Sequence, residues 1–312
     1  MTRVLVTGGA GYLGSTLVPA LLDRGFHVTV VDSFMYGQDS LAGVCYRPEF
    51  ALVRGDVRSM DTMRPLLKDA DIIIPLAALV GAPLCDRDPL AATSTNLTAI
   101  VQMLDHISRD QRVLLPVTNS GYGVGEAGKF CTEETPIRPI SLYGRDKVAV
   151  ERILLDRHPS ALSFRLATVF GMSPRMRLDL LVNDFTYRAY FDRFIVLFES
   201  HFKRNYLHVR DVARAFLHGI DHFETMKGGP YNVGLSDANL SKLELCQRIQ
   251  QQLPSFVFLE SNVGRDPDQR DYIVSNEKIE RTGYRPAFSL DDGIRELIKG
   301  FAMIRNTKYS NV

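Results

Sequence analysis

The sequence lacks long hydrophobic runs and an excess of charge of one sign, and each lack excludes a class of partner. Its longest apolar stretch, DIIIPLAALVGAPL, is broken by proline and glycine and is too short for a membrane span. The 37 basic and 36 acidic residues leave a net charge of +1, without a basic stripe. We therefore predict no membrane and no nucleic-acid partner, so that a few individual Arg or Lys residues must bind any anionic ligand.

Cysteines are few, and none of them stands in a CxxC pair. The four are scattered at Cys45, Cys85, Cys131 and Cys246. A strand is predicted from residue 3, which leaves no room for a secretion signal. We therefore expect reduced thiols in a cytoplasmic protein, with neither disulfides nor a metal site.

Short apolar runs rich in β-branched residues alternate with helix-like stretches. The runs are continuous rather than alternating, as in strands that are covered on both faces. This rhythm predicts an α/β fold with a doubly wound parallel sheet of the Rossmann type. The runs are RVLVTG (3–8), HVTVVD (27–32), FALVRGD (50–56), DIIIPLAA (71–78), RVLLPVT (112–118) and LSFRLATVFG (162–171).

The regular rhythm ends at about residue 171. The strand-and-helix segment YLHVRDVARAFLHGIDHF and the strand GPYNVG are expected to return to the first sheet. We predict that residues 1–171 plus about 206–235 form a cofactor-binding domain. Residues about 172–205 plus 236–312 would form a smaller mixed α/β lobe that closes a cleft at the carboxyl ends of the strands.

A glycine-rich segment connects the first strand to the first helix. VLVTGGAGYLGSTLVPALL places Gly8, Gly11 and Gly14 in G-x-x-G-x-x-G spacing. Glycines permit a tight turn and close backbone approach, and the helix N-terminus offers N–H groups to a pyrophosphate. A tight turn alone would need the same glycines, but the flanking strand and helix favour dinucleotide binding.

An acidic residue ends the second strand. Asp32 can accept hydrogen bonds from both ribose hydroxyls, whereas a 2′-phosphate would be repelled there. Ser33 and Phe34 bring no Arg to receive such a phosphate, so the pattern favours NAD over NADP. Asp56 and Val57 after the third strand would flank the adenine, although Asp56 could be an ordinary loop residue.

A tyrosine and a lysine stand four residues apart in SLYGRDK. Tyr143 and Lys147 would share one face of a helix. A tyrosine hydroxyl titrates near ~10 and needs a shift of roughly 3 units to act as a base at neutral pH. A lysine ammonium and an oxidised nicotinamide would supply that positive field. An exposed Tyr–Lys pair without function is the alternative.

Together these motifs resemble the extended short-chain dehydrogenase/reductases, specifically the NAD-dependent nucleotide-sugar epimerases and dehydratases. The resemblance covers essentially the whole chain and rests on TGGAGYLG, GDV, LAAL, TNL, TNSGYG, EETPIRPISLYGRDK, FRLATVFG and RNYLHVRDVA. It implies hydride transfer between sugar carbon C4 and NAD. The residues it assigns to NAD are Gly8, Gly11, Tyr12, Leu13, Gly14, Asp32, Ser33, Asp56, Val57, Leu76, Ala77, Ala78, Tyr143 and Lys147.

The resemblance also implies catalytic roles. Tyr143 would be the base, and Lys147 would hold the ribose and lower the pKa of the phenol. Asn96 of TNL would steady a water in the site. Thr118, four residues before Tyr122 of the YG pair, matches the hydroxyl that binds the sugar 4-oxygen; Tyr122 would be structural.

The stretch PVTNSGYG lacks an acid where related 4,6-dehydratases carry one. The two positions after Thr118 are Asn119 and Ser120, and neither side chain is an acid or base near neutral pH. This favours oxidation at C4 without elimination, and Ser120 would not be the catalytic hydroxyl. Asp86 or Glu126 could still reach the site from a loop.

Arginines are the candidates for binding the sugar nucleotide, because the planar guanidinium pairs with phosphate oxygens. The resemblance matches Arg204 to one family arginine at the diphosphate, and Arg265 or Arg270 to a second. Arg175, with Arg177, could line the nucleotide pocket or pair with an acid such as Asp179. Surface ion pairs with Asp266 or Asp268 are the alternative for the second arginine.

Three alternatives about the whole protein stay open. The enzyme could be a 4-epimerase or a 4-dehydrogenase, and FRLATVFGMSPRMRLDLLVNDF looks like a subgroup that oxidises C4 of a GDP-heptose for bacterial surface polysaccharide. A non-catalytic NAD-binding sensor is a different class, which the retained Tyr-x-x-x-Lys pair disfavours. The resemblance also implies a homodimer through helices at about 92–109 and 143–157, although a monomer core would show the same apolar residues.

Overall fold

The computed structural model describes residues 1–126, 128–261 and 270–304. Its centre is a parallel sheet of seven strands, which confirms the predicted doubly wound α/β fold. The strands are β1 (Arg3–Thr7), β2 (His27–Asp32), β3 (Phe50–Arg54), β4 (Ile72–Pro75), β5 (Arg112–Thr118), β7 (Ala161–Leu166) and β11 (Pro230–Val233). Their order is β3-β2-β1-β4-β5-β7-β11. The order reverses between β1 and β4, so the loops after these two strands lie side by side at the edge where such sheets bind ligands.

Successive residues of each strand pack on opposite faces of this sheet. Val4 and Val6 join a core on the face covered by helices α1 and α8, whereas Leu5 between them joins a core covered by α2, α5 and α6. Burial on both faces explains the continuous apolar runs. These helices are α1 (Gly14–Asp23), α2 (Met60–Asp69), α5 (Ala99–Leu104), α6 (Leu142–Arg157) and α8 (Val209–Asp221).

Two predictions about strands are wrong. The run LSFRLATVFG divides into β7 and β8 (Thr168–Phe170). The Ala167 N–H donates a hydrogen bond to the Val233 carbonyl of the large sheet, and the chain leaves that sheet after this bond. β8 then pairs with β10 (Lys203–His208), which we had expected in the first sheet. β10 pairs on its other side with β12 (Asn239–Ser241), so the three form a separate sheet. Strand β11 joins the large sheet and helix α8 packs on its face, both as predicted.

The long helix predicted near residues 91–110 is also interrupted. It consists of α4 (Pro89–Thr93), a π-helical turn over Ser94–Thr98, and α5. The turn places the Asn96 side chain against the main chain of Leu79, where both of its amide atoms form hydrogen bonds. π-helical turns are frequent at functional sites, and a period of 3.6 residues does not reveal them.

The remaining elements lie mostly after β8. β9 (Phe194–Phe198) pairs with β13 (Val257–Ser261), and β6 (Phe130–Cys131) pairs with β14 (Ile273–Val274). Capping boxes begin α10 and α12, which explains why these helices start where they do. No helix in the described ranges has the length and apolarity to cross a bilayer. The other helices are α3 (Ala82–Arg87), α7 (Leu181–Phe191), α9 (Phe223–Met226), α10 (Lys242–Gln252), α11 (Glu277–Arg281) and α12 (Leu290–Phe301).

The four cysteines are unpaired in the structure, as expected. The two helices expected at a dimer interface contribute apolar residues to the core beneath α5 and α6, namely Ile100, Met103, Val150 and Leu154. Any dimer through these helices would therefore use their outward-facing side chains.

Candidate active site

The glycine-rich loop fits against the loop after β4 with no room for side chains. Gly8 has φ +66°, and a Cβ on it would lie 2.6 Å from the backbone of Ala77. A Cβ on Gly14 would lie 2.4 Å from the carbonyl oxygen of Gly9. Gly11 closes the turn by donating its N–H to the Gly8 carbonyl and accepting from Ser15. The loop therefore requires glycine at these positions for its shape.

Replacing Gly14 by Ala is expected to weaken NAD binding at least about tenfold, because the methyl group must displace the backbone that forms the phosphate loop. Fluorescence titration with NADH measures this loss. Gly43→Ala is the matched control, since no atom lies within 4 Å of its Cβ position and its φ is not positive. Equal NADH affinity in both variants would contradict this function of the loop.

The N-terminus of α1 is open to an anion. No side chain caps it, and its first turn contains no acidic residue. Uncapped N–H groups and the helix dipole together favour a phosphate. The Tyr12 side chain turns away and donates to the carbonyl oxygen of Gly171 at 2.7 Å, and Ser173 donates to the carbonyl of Tyr12. The Tyr12 ring thus ties this loop to the segment after β8. The contact of Tyr12 and Leu13 with the cofactor stays a prediction.

Asp32 ends β2 next to this loop and is held in place by the backbone. Its carboxylate accepts from the Ala10 N–H at 3.0 Å and from the Phe34 N–H at 2.8 Å, and it is almost fully buried. Ser33 beside it is exposed. Arg54, which sequence reasoning missed, pairs in register with Asp32, and its guanidinium lies 5.5 Å from the centre of the Phe34 ring.

The predicted adenine contacts have other partners in the structure. Asp56 forms a 2.6 Å ion pair with Arg58, whose hydrogen bond lowers the pKa of that carboxyl. Val57 packs partly against the core under α2. Their contact with adenine stays a prediction.

The loop after β4 faces the glycine-rich loop. Leu76 and Ala77 donate their N–H groups to the carbonyl and the hydroxyl of Thr7, and Ala78 follows them half-buried. Asn96 is fully buried; its Oδ1 accepts from Leu79 N–H at 2.8 Å and its Nδ2 donates to Leu79 O at 2.9 Å. Asn96 therefore anchors this loop, and its predicted contact with a water remains untested.

Tyr143 and Lys147 lie one turn apart on α6, whose first turn is capped by the Ser141 hydroxyl. Tyr143 packs against a small apolar cluster formed by Leu79, Cys85 and Ala92, which brings it to the loop after β4. Lys147 is only 2% exposed. Burial lowers the pKa of Lys147 to about 8, while the nearby Cys85 and Asp146 act to raise it.

Without cofactor, the Tyr143 phenol holds its proton firmly. Burial raises the pKa of Tyr143 to about 12, and the guanidinium groups of Arg177 and Arg270 act in the opposite direction. From the sequence, we expected Lys147 and the nicotinamide to supply the positive charge that lowers the pKa of Tyr143. The structure adds these two arginines, which come from segments distant in sequence.

We expect the pKa of Tyr143 to fall when oxidised cofactor binds, because a positive nicotinamide stabilises the phenolate. By linkage, a ligand that lowers a pKa binds more tightly as pH rises. The dissociation constant of NAD⁺ should therefore decrease towards high pH. Above the pKa that Tyr143 has in the NAD complex, the decrease should be at most about tenfold per pH unit. Calorimetric titration over a range of pH measures this.

Two comparisons control this experiment. Tyr143→Phe should lose the slope, and NADH, whose ring is uncharged, should show little slope with the wild-type enzyme. A slope that persists in Tyr143→Phe would assign the titration to another group.

The end of β5 supplies the hydroxyl groups of the site. Thr118 is half-buried; its Oγ1 donates to Ser120 Oγ at 3.0 Å and accepts the Ser120 N–H at 3.1 Å. Ser120 itself is 1% exposed. A Cβ on Gly144 would lie 3.6 Å from the Ser120 carbonyl, so this turn packs against the first turn of α6, next to Tyr143. Thr118 is thus the more accessible hydroxyl, in agreement with its predicted role.

Tyr122 belongs to a buried network. Its hydroxyl donates to Asn232 at 2.7 Å and accepts from Arg165 at 3.1 Å. Arg165 also forms a bidentate pair with Glu151, which accepts a further bond from Ser163. These contacts join β5, α6, β7 and β11 below the site, which fits the structural role expected of Tyr122.

The structure separates the arginine candidates. Arg175 lies 4.6 Å from the Tyr36 ring, near Asp32. Arg177 forms an ion pair with Asp179, and its charge acts to lower the pKa of Tyr143. The pairing with Asp179 that we considered therefore holds for Arg177. Arg204 is 3% exposed, with its guanidinium 5.6 Å from the Tyr272 ring.

Two further observations concern the remaining candidates. Arg270 is half-buried, and its charge acts to lower the pKa of the Tyr143 phenol, while Arg265, with Asp266 and Asp268, lies outside the described residues.

No group of three His, Cys, Asp or Glu side chains in the described parts of the chain is arranged to hold a metal ion.

Comparisons with known proteins agree with this geometry. Residues 4–234 match the NAD dependent epimerase/dehydratase family. The low-salt glycan biosynthesis protein Agl12 of Haloferax volcanii is 30% identical, over 95% of this chain and 97% of its own length. UDP-glucuronic acid decarboxylase 1 of Arabidopsis thaliana is 28% identical, over 96% of this chain and 69% of that protein.

A solved structure extends the likeness to the whole fold. DesIV, a dTDP-glucose 4,6-dehydratase of Streptomyces venezuelae solved with NAD bound, superposes with a TM-score of 0.82 at 26% identity, over 97% of each chain. The glycine-rich loop, the open N-terminus of α1 and Asp32 fit the same cofactor. The chain therefore belongs to the NAD-dependent epimerase/dehydratase family, among the nucleotide-sugar epimerases and dehydratases of the extended short-chain dehydrogenase/reductases, with NAD as its cofactor.

Proposed function

We propose that the enzyme oxidises carbon C4 of a sugar linked to a nucleoside diphosphate. It then either returns the hydride to the other face, as a 4-epimerase, or releases the ketone, as a 4-dehydrogenase. One observation carries the proposal. The hydroxyl groups of Thr118 and Tyr143 lie on adjoining turns beside the buried Lys147, and neither position 119 nor position 120 has a carboxylate.

Each residue has one role in this proposal. Bound NAD supplies the hydride acceptor for C4. The Tyr143 phenolate takes the proton of the sugar 4-hydroxyl and becomes a neutral phenol, so the lost hydride and proton balance the new C=O bond. Thr118 bonds to the same oxygen and orients it. Lys147 is proposed to hold the nicotinamide ribose and, through its ammonium, to favour the phenolate. Arg177 and Arg270 act in the same direction.

Elimination of water is the alternative, and it needs another carboxylate. Glu126 is exposed and forms an ion pair with Lys129 at 2.5 Å. Asp86 is exposed on α3, and its charge acts to raise the pKa of the Cys85 thiol next to the site. Asp86 is therefore the remaining candidate for a 4,6-dehydratase.

The substrate side of the proposal rests on arginines of the smaller lobe. Arg204 and Arg270 are proposed to meet the diphosphate, with Arg265 as the alternative to Arg270. Arg175, which lies towards Asp32, is the weaker candidate. The proposed boundaries stay at 1–171 plus about 206–235 for the cofactor domain, although β8 and β10 form their own sheet.

A panel of UDP-, GDP- and dTDP-sugars that includes a GDP-heptose tests this function. The expected product is a C4 epimer or a 4-ketone, detected by NMR and mass spectrometry. Loss of water would establish the dehydratase, and loss of CO₂ from UDP-glucuronic acid would establish the activity named for the Arabidopsis relative. NAD binding without turnover of any sugar would favour the sensor.

We also propose a cytoplasmic homodimer through the outer faces of α5 and α6. Sedimentation equilibrium is expected to give twice the chain mass of 35.0 kDa. A single 35.0 kDa species at micromolar concentration would contradict the dimer.

A further inference from the structure

Asn183 is fully buried in the first turn of α7, at a point where three segments of the chain meet. Its Oδ1 accepts from the Gly171 N–H at 3.0 Å. Its Nδ2 donates to the Arg177 carbonyl at 2.8 Å and to the Tyr12 hydroxyl at 3.3 Å. The Gly171 N–H can only donate and the Arg177 carbonyl can only accept, so the amide has one possible orientation. An aspartate at this position would lack the donors, and a leucine would form none of these bonds.

The Tyr12 hydroxyl connects Asn183 to the glycine-rich loop. It donates to the Gly171 carbonyl at 2.7 Å, so Tyr12, Gly171 and Asn183 form a closed ring of hydrogen bonds. Gly171 has φ +110°, and a Cβ on it would lie 2.5 Å from His208 Nε2, which leaves this corner no room to change. The glycine-rich loop and the start of α7 are therefore held at a fixed separation.

Further bonds attach the segment after β8 to the first turn of α1. Ser173 Oγ lies 2.9 Å from Ser15 Oγ and donates to the Tyr12 carbonyl at 2.7 Å. The Arg175 N–H donates to Ser15 Oγ at 3.3 Å. The segment is thus bonded to the cofactor loop just before it reaches Arg177.

Arg177 is held through both its side chain and its main chain. Its guanidinium forms two bonds to the Asp179 carboxylate, at 3.2 and 2.5 Å, and Asn183 holds its carbonyl. The charge of Arg177 acts to lower the pKa of Tyr143. Because the interaction of two charges weakens with distance, a displaced Arg177 main chain would reduce this effect.

We propose that Asn183 is a positioning residue, which ties the main chain of Arg177 to the glycine-rich loop so that the guanidinium keeps its place relative to Tyr143. The inference rests on the proposed function, because it takes Tyr143 as the catalytic base. It adds a physical connection between the cofactor loop and that base, through Tyr12 and Asn183, which are 171 positions apart in the chain.

The test needs no sugar, because the pKa of Tyr143 governs how NAD⁺ affinity depends on pH. Asn183→Leu keeps a similar volume and brings no charge. Arg177 should stabilise the phenolate less in this variant, so the pKa of Tyr143 in the NAD complex should rise. We define the pH onset as the pH above which NAD⁺ affinity begins to increase. Calorimetric titration should place this onset about one unit higher than in the wild-type enzyme.

Two further variants show where the shift comes from. Lys147, Cys85 and Arg270 are unchanged in all of them. Tyr12→Phe removes only the hydroxyl group and should raise the pH onset by less than Asn183→Leu does. Asn239→Leu is the matched control, since both amide atoms of Asn239 bond to the main chain of Val274, at 3.1 and 2.7 Å. It should lower the melting temperature but leave the pH onset unchanged.

A double variant tests whether the effect passes through Arg177. Arg177→Met alone should raise the pH onset, because the charge is gone. Adding Asn183→Leu should then raise it no further. If Asn183→Leu shifts the onset by the same amount with and without Arg177, the positioning role is overturned.

Failure of this inference differs from failure of the proposed function. If Tyr143→Phe loses the pH dependence but neither Asn183→Leu nor Tyr12→Phe shifts the onset, the inference is overturned and Tyr143 stands as the titrating group. If Asn183→Leu does not fold, an unchanged onset in Tyr12→Phe alone overturns it. A pH dependence that persists in Tyr143→Phe removes the proposed base itself, and the inference with it.

Discussion

Replacing Tyr143 by Phe should lower the rate of C4 oxidation by about a thousandfold while NAD still binds. The variant keeps the ring that packs on Leu79 and Cys85 but removes the oxygen that takes the proton. General-base catalysis contributes about 10²- to 10⁴-fold, which sets the size of the loss. Single-turnover formation of NADH with the substrate found in the panel measures this rate directly.

A control variant distinguishes the loss of catalysis from a general effect of removing a tyrosine hydroxyl. Tyr46→Phe removes a hydroxyl from a side chain that is 79% exposed and should leave the rate unchanged. If Tyr143→Phe retains more than about a tenth of the wild-type rate, another group is the base and the proposed mechanism is wrong.

Breaking the buried Glu151–Arg165 pair should destabilise the enzyme by about 3 to 5 kcal/mol, because the arginine is left charged and unpaired in the core. The two side chains are 4% and 8% exposed and are 2.7 Å apart. Glu151→Leu is therefore expected to lower the melting temperature by roughly 6 to 20 °C. Differential scanning calorimetry measures the midpoint of the transition.

An exposed pair provides the control for this prediction. Arg157 and Asp105 are 2.5 Å apart but about half exposed, so Asp105→Ala should cost less than about 1 kcal/mol. The double variant Glu151→Leu with Arg165→Met should recover part of the stability lost by Glu151→Leu, since no unpaired charge remains. Additive losses in the double variant would show that the pair itself is not what stabilises this region.

The cofactor site could be predicted from the sequence because its requirements are local. Gly8 and Gly14 are fixed by backbone shape, and Asp32 by its place at the end of a strand. The i, i+4 spacing of Tyr143 and Lys147 likewise depends on one helix. Each of these features needs only a few consecutive residues, which form one loop, one strand end and one helix turn. Their contacts with NAD stay predictions.

Features that depend on distant parts of the chain could not be predicted in this way. The apolar pattern of β8 and β10 identifies strands but does not say which sheet they join. Arg177 and Arg270 act on Tyr143 from positions 34 and 127 residues away, and no spacing rule connects them. The π-helical turn that aims Asn96 at Leu79 has no signature in the 3.6-residue period.

In the proposed reaction, NAD is reduced by the hydrogen on C4 of the sugar. The most direct measurement is stopped-flow absorbance of the NAD-loaded enzyme with its nucleotide sugar, unlabelled and with deuterium at C4. We expect NADH absorbance to appear more slowly with the deuterated sugar, and not at all on this timescale with Tyr143→Phe. Turnover of the sugar by the wild-type enzyme at the same rate with hydrogen or deuterium at C4, and without transient NADH, would contradict hydride transfer from C4.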